Sequence, residues 1–175
     1  ASSQTADYAP GGMLDDVRVA SKTHTRCLYY NDATALDTQL IAAAYAGRAL
    51  STNFDGSNTT QTMHMKALTN VAAATPVDQT ALTAIQTAGV DCYVSIAGVS
   101  AVFTSGENAF YDEVYNEFWL KFALQTAGFN YLRATSAKIP QTQSGIEGLK
   151  NEYRKVCAQG VTNGFIGPGT WTSPD

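Results

Sequence analysis

Apolar positions recur along this chain with two different periods, and each change of period marks the start of an element. Arg26 to Tyr30 is a short apolar and aromatic run bounded by Asn31 and Asp32, which predicts a buried strand. After Thr34 the positions Leu36, Leu40, Ile41, Ala44 and Gly47 repeat at helical spacing, and the polar stretch Asn53 to Asn58 ends that helix. From Thr62 to Leu68 the period drops to two. Met63, Met65 and Ala67 alternate with Thr62, His64 and Lys66, the pattern of a half-buried strand. Thr75 as N-cap, Pro76 in the first turn and Asp78 near the third position predict a second helix. Its stripe is Ala81, Leu82, Ile85 and Ala88, and Gly89 closes it.

Cys92, Val94 and Ile96 open the strongest β pattern of the chain; Ala97-Gly98 interrupts it and Val99 to Thr104 resumes it, so a hairpin or bulged pair is expected. Asp112 and Glu113 suit a helix N-terminus, and Phe118, Trp119, Phe122, Phe129 and Leu132 predict a long helix with a core-facing stripe, broken before Pro140. Gly128 is its weak point. Ser144 and Glu147 form a capping box for a last helix whose stripe is Ile146, Leu149, Tyr153, Val156, Cys157 and Val161, ended by Asn163-Gly164. The order β-α-β-α-β-β-α-α predicts an α/β fold, a layered domain with a small mixed sheet flanked by about four helices. One domain is expected over residues 26–171. A loosely ordered segment, 1–25, with one short helical turn around Met13 to Val19, precedes it, and a brief end, 172–175, follows it.

Composition narrows the functional classes. Of 175 residues, 45% are apolar and only 15% charged, against roughly 25% charged in an average soluble protein. A packed core is therefore expected, under a surface that relies on neutral polar groups and suits packing against copies or partners. The formal net charge is −4, and no cationic run exceeds the Arg154, Lys155 pair, so a nucleic-acid footprint is missing. No apolar stretch approaches the roughly 18 residues needed to cross a bilayer, and Ala1 to Asp16 has neither a basic nor an apolar leader region, so no membrane partner is expected. The start at Ala1 and the Gly/Pro-rich end suggest a piece of a longer parent. Cys27, Cys92 and Cys157 are evenly spaced but sit in unlike contexts, which predicts three buried, reduced thiols rather than a repeat or a metal site.

Catalytic signatures are scarce. Gly98 follows a good strand, but Val99-Ser100-Ala101 comes next, so no phosphate cradle is formed; G-x-S-x-G, G-x-G-x-x-G and H-E-x-x-H are absent. Glu107, Asp112, Glu113 and Glu117 invite a carboxylate-dependent hydrolase reading, in which a general acid and a base face each other across a bond. The simpler reading is that these acids favour a helix start and keep one face wet. His24 and His64 have no ligand at metal spacing, and neither a metal nor a cofactor is expected. The aromatic group Phe110, Tyr111, Tyr115, Phe118, Trp119 and Phe122 reads as core, with Tyr111 and Tyr115 the best candidates for a partner contact. On the last helix, Glu147, Lys150, Glu152, Arg154 and Lys155 mix both signs on one face, which is either a solvated face or a docking surface for a charged partner.

The run Lys138-Ile-Pro-Gln-Thr-Gln-Ser-Gly145, the helix reaching Val156-Cys157-Ala158, and Asn163-Gly-Phe-Ile-Gly-Pro-Gly-Thr-Trp171 resemble the sheath proteins of contractile bacteriophage tails. The likeness extends upstream through Arg26-Cys-Leu-Tyr-Tyr30, Ala42-Ala-Ala-Tyr-Ala-Gly-Arg48, Met65-Lys-Ala-Leu68, Cys92-Tyr-Val94 and Phe110-Tyr-Asp-Glu-Val114. The resemblance implies a structural virion protein, assembled in the host cytoplasm. Its subunits surround the tail tube in an extended state and collapse to a shorter, wider helix that drives the tube through the host envelope. The implied partners are neighbouring sheath subunits, joined by strand-adding arms, and the tube protein. No cofactor is implied. Glu147, Lys150, Glu152, Arg154 and Lys155 are then the candidate tube or neighbour contacts. Neither the residues past Trp171 nor those before Arg26 read as an arm, so this chain is expected to be a core-domain piece that stays monomeric in dilute solution. Another tail or baseplate interaction domain is the alternative.

Overall fold

A computed structural model describes residues 16–17, 19–20, 22, 24–30, 35–74, 78–106, 109–136 and 138–169. The segment expected to be loose, 1–25, lies largely outside these residues, and 172–175 lies wholly outside them. The described chain is α/β, with four helices of nine residues or more and a three-stranded mixed sheet. It divides into two compact units, one formed by Ala1–Ser51 with Gln61–Val114 and the other by Thr52–Thr60 with Tyr115–Asp175.

The first unit is built around the sheet. Strand β1 (Leu28–Tyr29) runs parallel to β2 (Asp91–Ile96), with Leu28 opposite Asp91 and Tyr29 opposite Cys92. β2 pairs antiparallel with β3 (Val99–Phe103), from Cys92 opposite Phe103 to Ile96 opposite Val99. The two-residue turn Ala97-Gly98 has φ of 51° and 80°, the doubly left-handed geometry whose twist matches that of a hairpin. Side chains alternate across a strand. Tyr93 and Val102 therefore join Ile41, Tyr45 and Ala49 of helix α1 (Ala35–Ala49), together with Met63 and Leu68, while Cys92 and Val94 pack with Leu82 and Ile85 of α2 (Gln79–Thr87) on the other face. β2 is thus covered on both sides, which is why its sequence reads as a nearly continuous apolar run.

Three local expectations are corrected here. Residues 62–68 form no strand: Met63 is 1% exposed, while Met65, at φ 60°, is 60% exposed. A turn at His64–Met65 reverses the alternation, and the segment's backbone meets β3 where Met65 N–H donates to Val102 O and Val102 N–H to Lys66 O, both at 2.8 Å. The buried stripe of α1 is Ile41, Tyr45 and Ala49 with Ala44 packed beside it, so Ile41 and Ala44 lie as expected, whereas Leu40 and Gly47 face outward. Asp78 is the N-cap of α2, its Oδ1 accepting from Ala81 N–H at 2.7 Å. Thr75 and Pro76 lie outside the described residues. Gly89 follows with the expected positive φ, 76°.

The second unit contains most of α3 (Tyr111–Ala134), α4 (Gln143–Asn163) and the loop 52–60. Phe54 stacks on Trp119 at 4.9 Å with an interplanar angle of 10°, and Tyr115 and Phe165 meet it edge-on. Where α3 meets α4 the tyrosines lie over glycines: a Cβ at Gly128 would stand 2.6 Å from the Tyr153 hydroxyl, and one at Gly148 would collide with that of Tyr131. Thr142, without a side-chain cap bond, precedes α4. Ser144 falls inside the first turn, so the expected capping box is not formed. The Glu147 carboxylate is drawn instead to Lys150 and Arg154.

Candidate interaction surfaces of the C-terminal helices

The C-terminal end of α4 is fixed by one residue. Asn163 is 0% exposed, and its Nδ2 points at the carbonyls of Asn53, Phe54 and Gly56, at 3.1, 2.8 and 3.0 Å. Gln159 Nε2 donates to two of the same carbonyls, those of Phe54 at 2.9 Å and Gly56 at 3.2 Å. In return Asn58 N–H donates to Thr162 O at 2.9 Å, and Thr60 Oγ1 to Asn163 O at 2.7 Å. Gly164 then leaves the helix at φ 98°, a conformation that favours glycine. The expected stop at Asn163-Gly164 is therefore found, together with a loop clamp that helical periodicity alone does not reveal.

The five charged residues singled out on α4 fall into two groups. Glu147 Oε1 accepts from Lys150 Nζ at 2.9 Å and from Gln143 Nε2 at 3.0 Å, and its Oε2 from Arg154 Nη1 at 3.2 Å; Arg154 Nη1 also donates to Asn151 Oδ1 at 2.7 Å. Lys155 and Glu152 pair separately at 2.6 Å. The Lys150 hydrogen bond, followed by that of Arg154, holds the Glu147 carboxyl below the usual glutamate range. All of this lies on the solvent side of the helix, where such pairs are screened and individually weak.

α3 presents the opposite chemistry. Phe118, Phe122, Phe129 and Leu132, expected in the core, are 61, 62, 64 and 60% exposed. The neighbours of α3 in this unit occupy its flanks, with Phe54 and Phe165 at Tyr115 and Trp119 and with Tyr153 at Gly128, so the stripe between them stays uncovered. Tyr111 and Tyr115, the expected partner contacts, are half-buried, against Tyr45 and Phe54 respectively. Cys157 is exposed at the margin of the α4 stripe and Cys27 is half-buried. Only Cys92 meets the expectation of a buried thiol.

Of the residues of the hydrolase reading, Glu107 lies outside the described residues and the others are not gathered at one site. Glu113 Oε2 accepts from Phe110 N–H at 3.0 Å at the start of α3, Glu117 is exposed, and His64 Nδ1 lies 3.0 Å from Thr104 Oγ1. Periodicity also missed the Asp91 carboxylate, 1% exposed, which accepts from the Tyr45 hydroxyl at 2.9 Å and from Ser105 N–H at 3.0 Å. Among the described residues no group of three or more His, Cys, Asp or Glu could hold a metal ion, and no helix is long and apolar enough to cross a membrane.

No curated protein matches the chain. Residues 111–175 match the family described as E217 tail sheath protein gp31-like, C-terminal domain. The match opens on the first residue of α3 and takes in α3 and α4, with both surfaces described above and the Gln159 and Asn163 side of the clamp, but not its loop at 53–60. It supports a place for the chain in a phage tail sheath family.

Proposed function

We propose that the chain is the core part of a structural subunit of a contractile phage tail sheath, assembled in the host cytoplasm, which surrounds the tail tube and contracts to drive it through the host envelope. Residues 26–171 serve as its building block, and its role is mechanical rather than catalytic. The observation that carries this reading is the family match over α3 and α4. The charged face of α4 is the proposed contact with the tube or a neighbouring subunit. A contracting sheath has to break its contacts, and exposed pairs such as Lys150–Glu147 and Lys155–Glu152 are screened by water and individually weak. Repetition over many subunits makes them effective. Contacts this weak hold partners only when many act together, so the chain alone is monomeric in dilute solution. Reversing Lys150 and Arg154 to Glu in the full-length parent should abolish sheath assembly on tubes, as seen by electron microscopy, while leaving the circular dichroism of the subunit unchanged. Normal assembly of that variant would move the interface off this face.

A further inference from the structure

The exposed residues of α3 make a seam. Phe118, Phe122, Phe129 and Leu132, with Gln125 between them, are spaced four, three, four and three apart, the spacing that keeps one line of side chains against a partner helix. We propose that this seam is a homotypic contact, in which two copies of the chain lay α3 against α3 antiparallel across a two-fold axis at Gln125.

Three features of α3 favour a second copy as the occupant. The seam reads alike in both directions, with two apolar residues on either side of one glutamine. Reversal about Gln125 sets Phe118 against Leu132 and brings Phe122 within one residue of Phe129, while Gln125 meets its own copy. A carboxamide is both donor and acceptor, so it complements itself, and a lone polar residue in a seam fixes register. The two ends of the helix carry opposite charge, Asp112 and Glu113 in the first turn and Arg133 in the last. Antiparallel pairing sets the acidic end beside the basic one, whereas parallel pairing would stack like charges. Finally, four large side chains exposed by about three-fifths offer roughly 400–500 Å² per copy, so a pair buries roughly 1,000 Å², the lower limit for a specific interface. The dimer is therefore weak, formed at high local concentration and largely dissociated in dilute solution. A two-fold contact closes on itself and does not propagate. It would cover the seam before growth of any larger assembly rather than build one, and it stands independently of the sheath reading.

Sedimentation velocity from low micromolar to submillimolar concentration should show a monomer giving way to a dimer, and the Phe122→Glu, Phe129→Glu double variant should remain monomeric throughout with unchanged circular dichroism. A wild-type chain that is monomeric at every concentration, or a double variant that dimerises equally well, overturns the proposal. Orientation is read by oxidation in a Cys157→Ser background. Gln125→Cys should yield a disulfide-linked dimer and Phe118→Cys alone should not, while Phe118→Cys mixed with Leu132→Cys should cross-link. Self-linking at Phe118→Cys as fast as at Gln125→Cys overturns the antiparallel arrangement.

Discussion

Two buried polar groups, the carboxamide of Asn163 and the carboxylate of Asp91, each satisfy backbone that would otherwise be stranded away from water. At Asn163, three loop carbonyls converge on one amide nitrogen. Removing a buried donor leaves its acceptors desolvated, so Asn163→Ala should destabilise the protein by about 2–3 kcal/mol. Asn163→Asp should destabilise it more, since it turns carboxylate oxygens toward carbonyl oxygens. Denaturant titration checks both, and a loss under about 1 kcal/mol would show that Gln159 alone suffices for the clamp. The cysteines divide by environment. Burial, then the Asp91 charge, pushes the Cys92 thiol up to about 11 from 9.0, and burial raises that of Cys27. Cys157 should therefore react first with a thiol reagent, and Cys92 last. In the unfolded chain Cys92 ionises near 9.0, while in the folded chain it keeps its proton to about 11. Its contribution is thus fully present below pH 9 and is lost as pH rises through that interval. Cys92→Ala should flatten the alkaline fall in stability; an unchanged pH profile would assign that fall elsewhere.

Chemically identical substitutions should act oppositely in different helices. A Cβ at Gly47 of α1 meets nothing within 4 Å, whereas one at Gly145 of α4 runs into the backbone carbonyl of Pro140, which has no rotamer to yield. Gly47→Ala should stabilise by about 0.5–1 kcal/mol through helix propensity, and Gly145→Ala should destabilise despite the same gain. Equal shifts in thermal unfolding would refute this account. At the hairpin, Ala97 holds φ 51°, a region where an L side chain is penalised by about 1–2 kcal/mol, so Ala97→Gly should raise the melting temperature. Sequence reading found the hairpin, the start of α3 and the C-terminal ends of α2 and α4, because each carries its own local marker: Ala97-Gly98 between β runs, Asp112 and Glu113 at a start, Gly89 after a stripe, Asn163-Gly164 at a stop. It failed where periodicity was satisfied by a neighbour that the pattern does not specify. Met63 and Met65 alternate correctly in sequence, yet a left-handed residue at Met65 sends them to opposite environments. The α3 stripe has the spacing of a core face, but a helix cannot encode whether anything lies against it. The charges of Glu147, Lys150 and Arg154 were legible as a face. Their shared carboxylate, and the Asn163 clamp, depend on rotamers and on a loop about a hundred residues away.

At the scale of the whole chain, the two buried polar groups belong to different compact units and share no partner. Tyr45→Phe removes the hydroxyl that serves Asp91, and Asn163→Ala removes the donor that serves the 53–56 loop. The losses in the double variant should sum to within about 0.5 kcal/mol; a larger departure would reveal energetic coupling between the units. The clamp has one more consequence, which concerns time rather than stability. Asn163 precedes Gly164, a pair in which the glycine nitrogen can attack the side-chain carboxamide, expel ammonia and close a succinimide that water opens to aspartate or isoaspartate. In the folded chain the Gly164 N–H is engaged by the carbonyls of Gly160 and Val161, each at 3.2 Å, and the carboxamide is held by the loop, so the nucleophile and its target are kept apart. Ageing at this bond therefore proceeds only during unfolding. Every opening carries a chance of placing a negative charge, irreversibly, where three carbonyls wait, and the proportion of chains able to return to the native state becomes a record of how often they have left it.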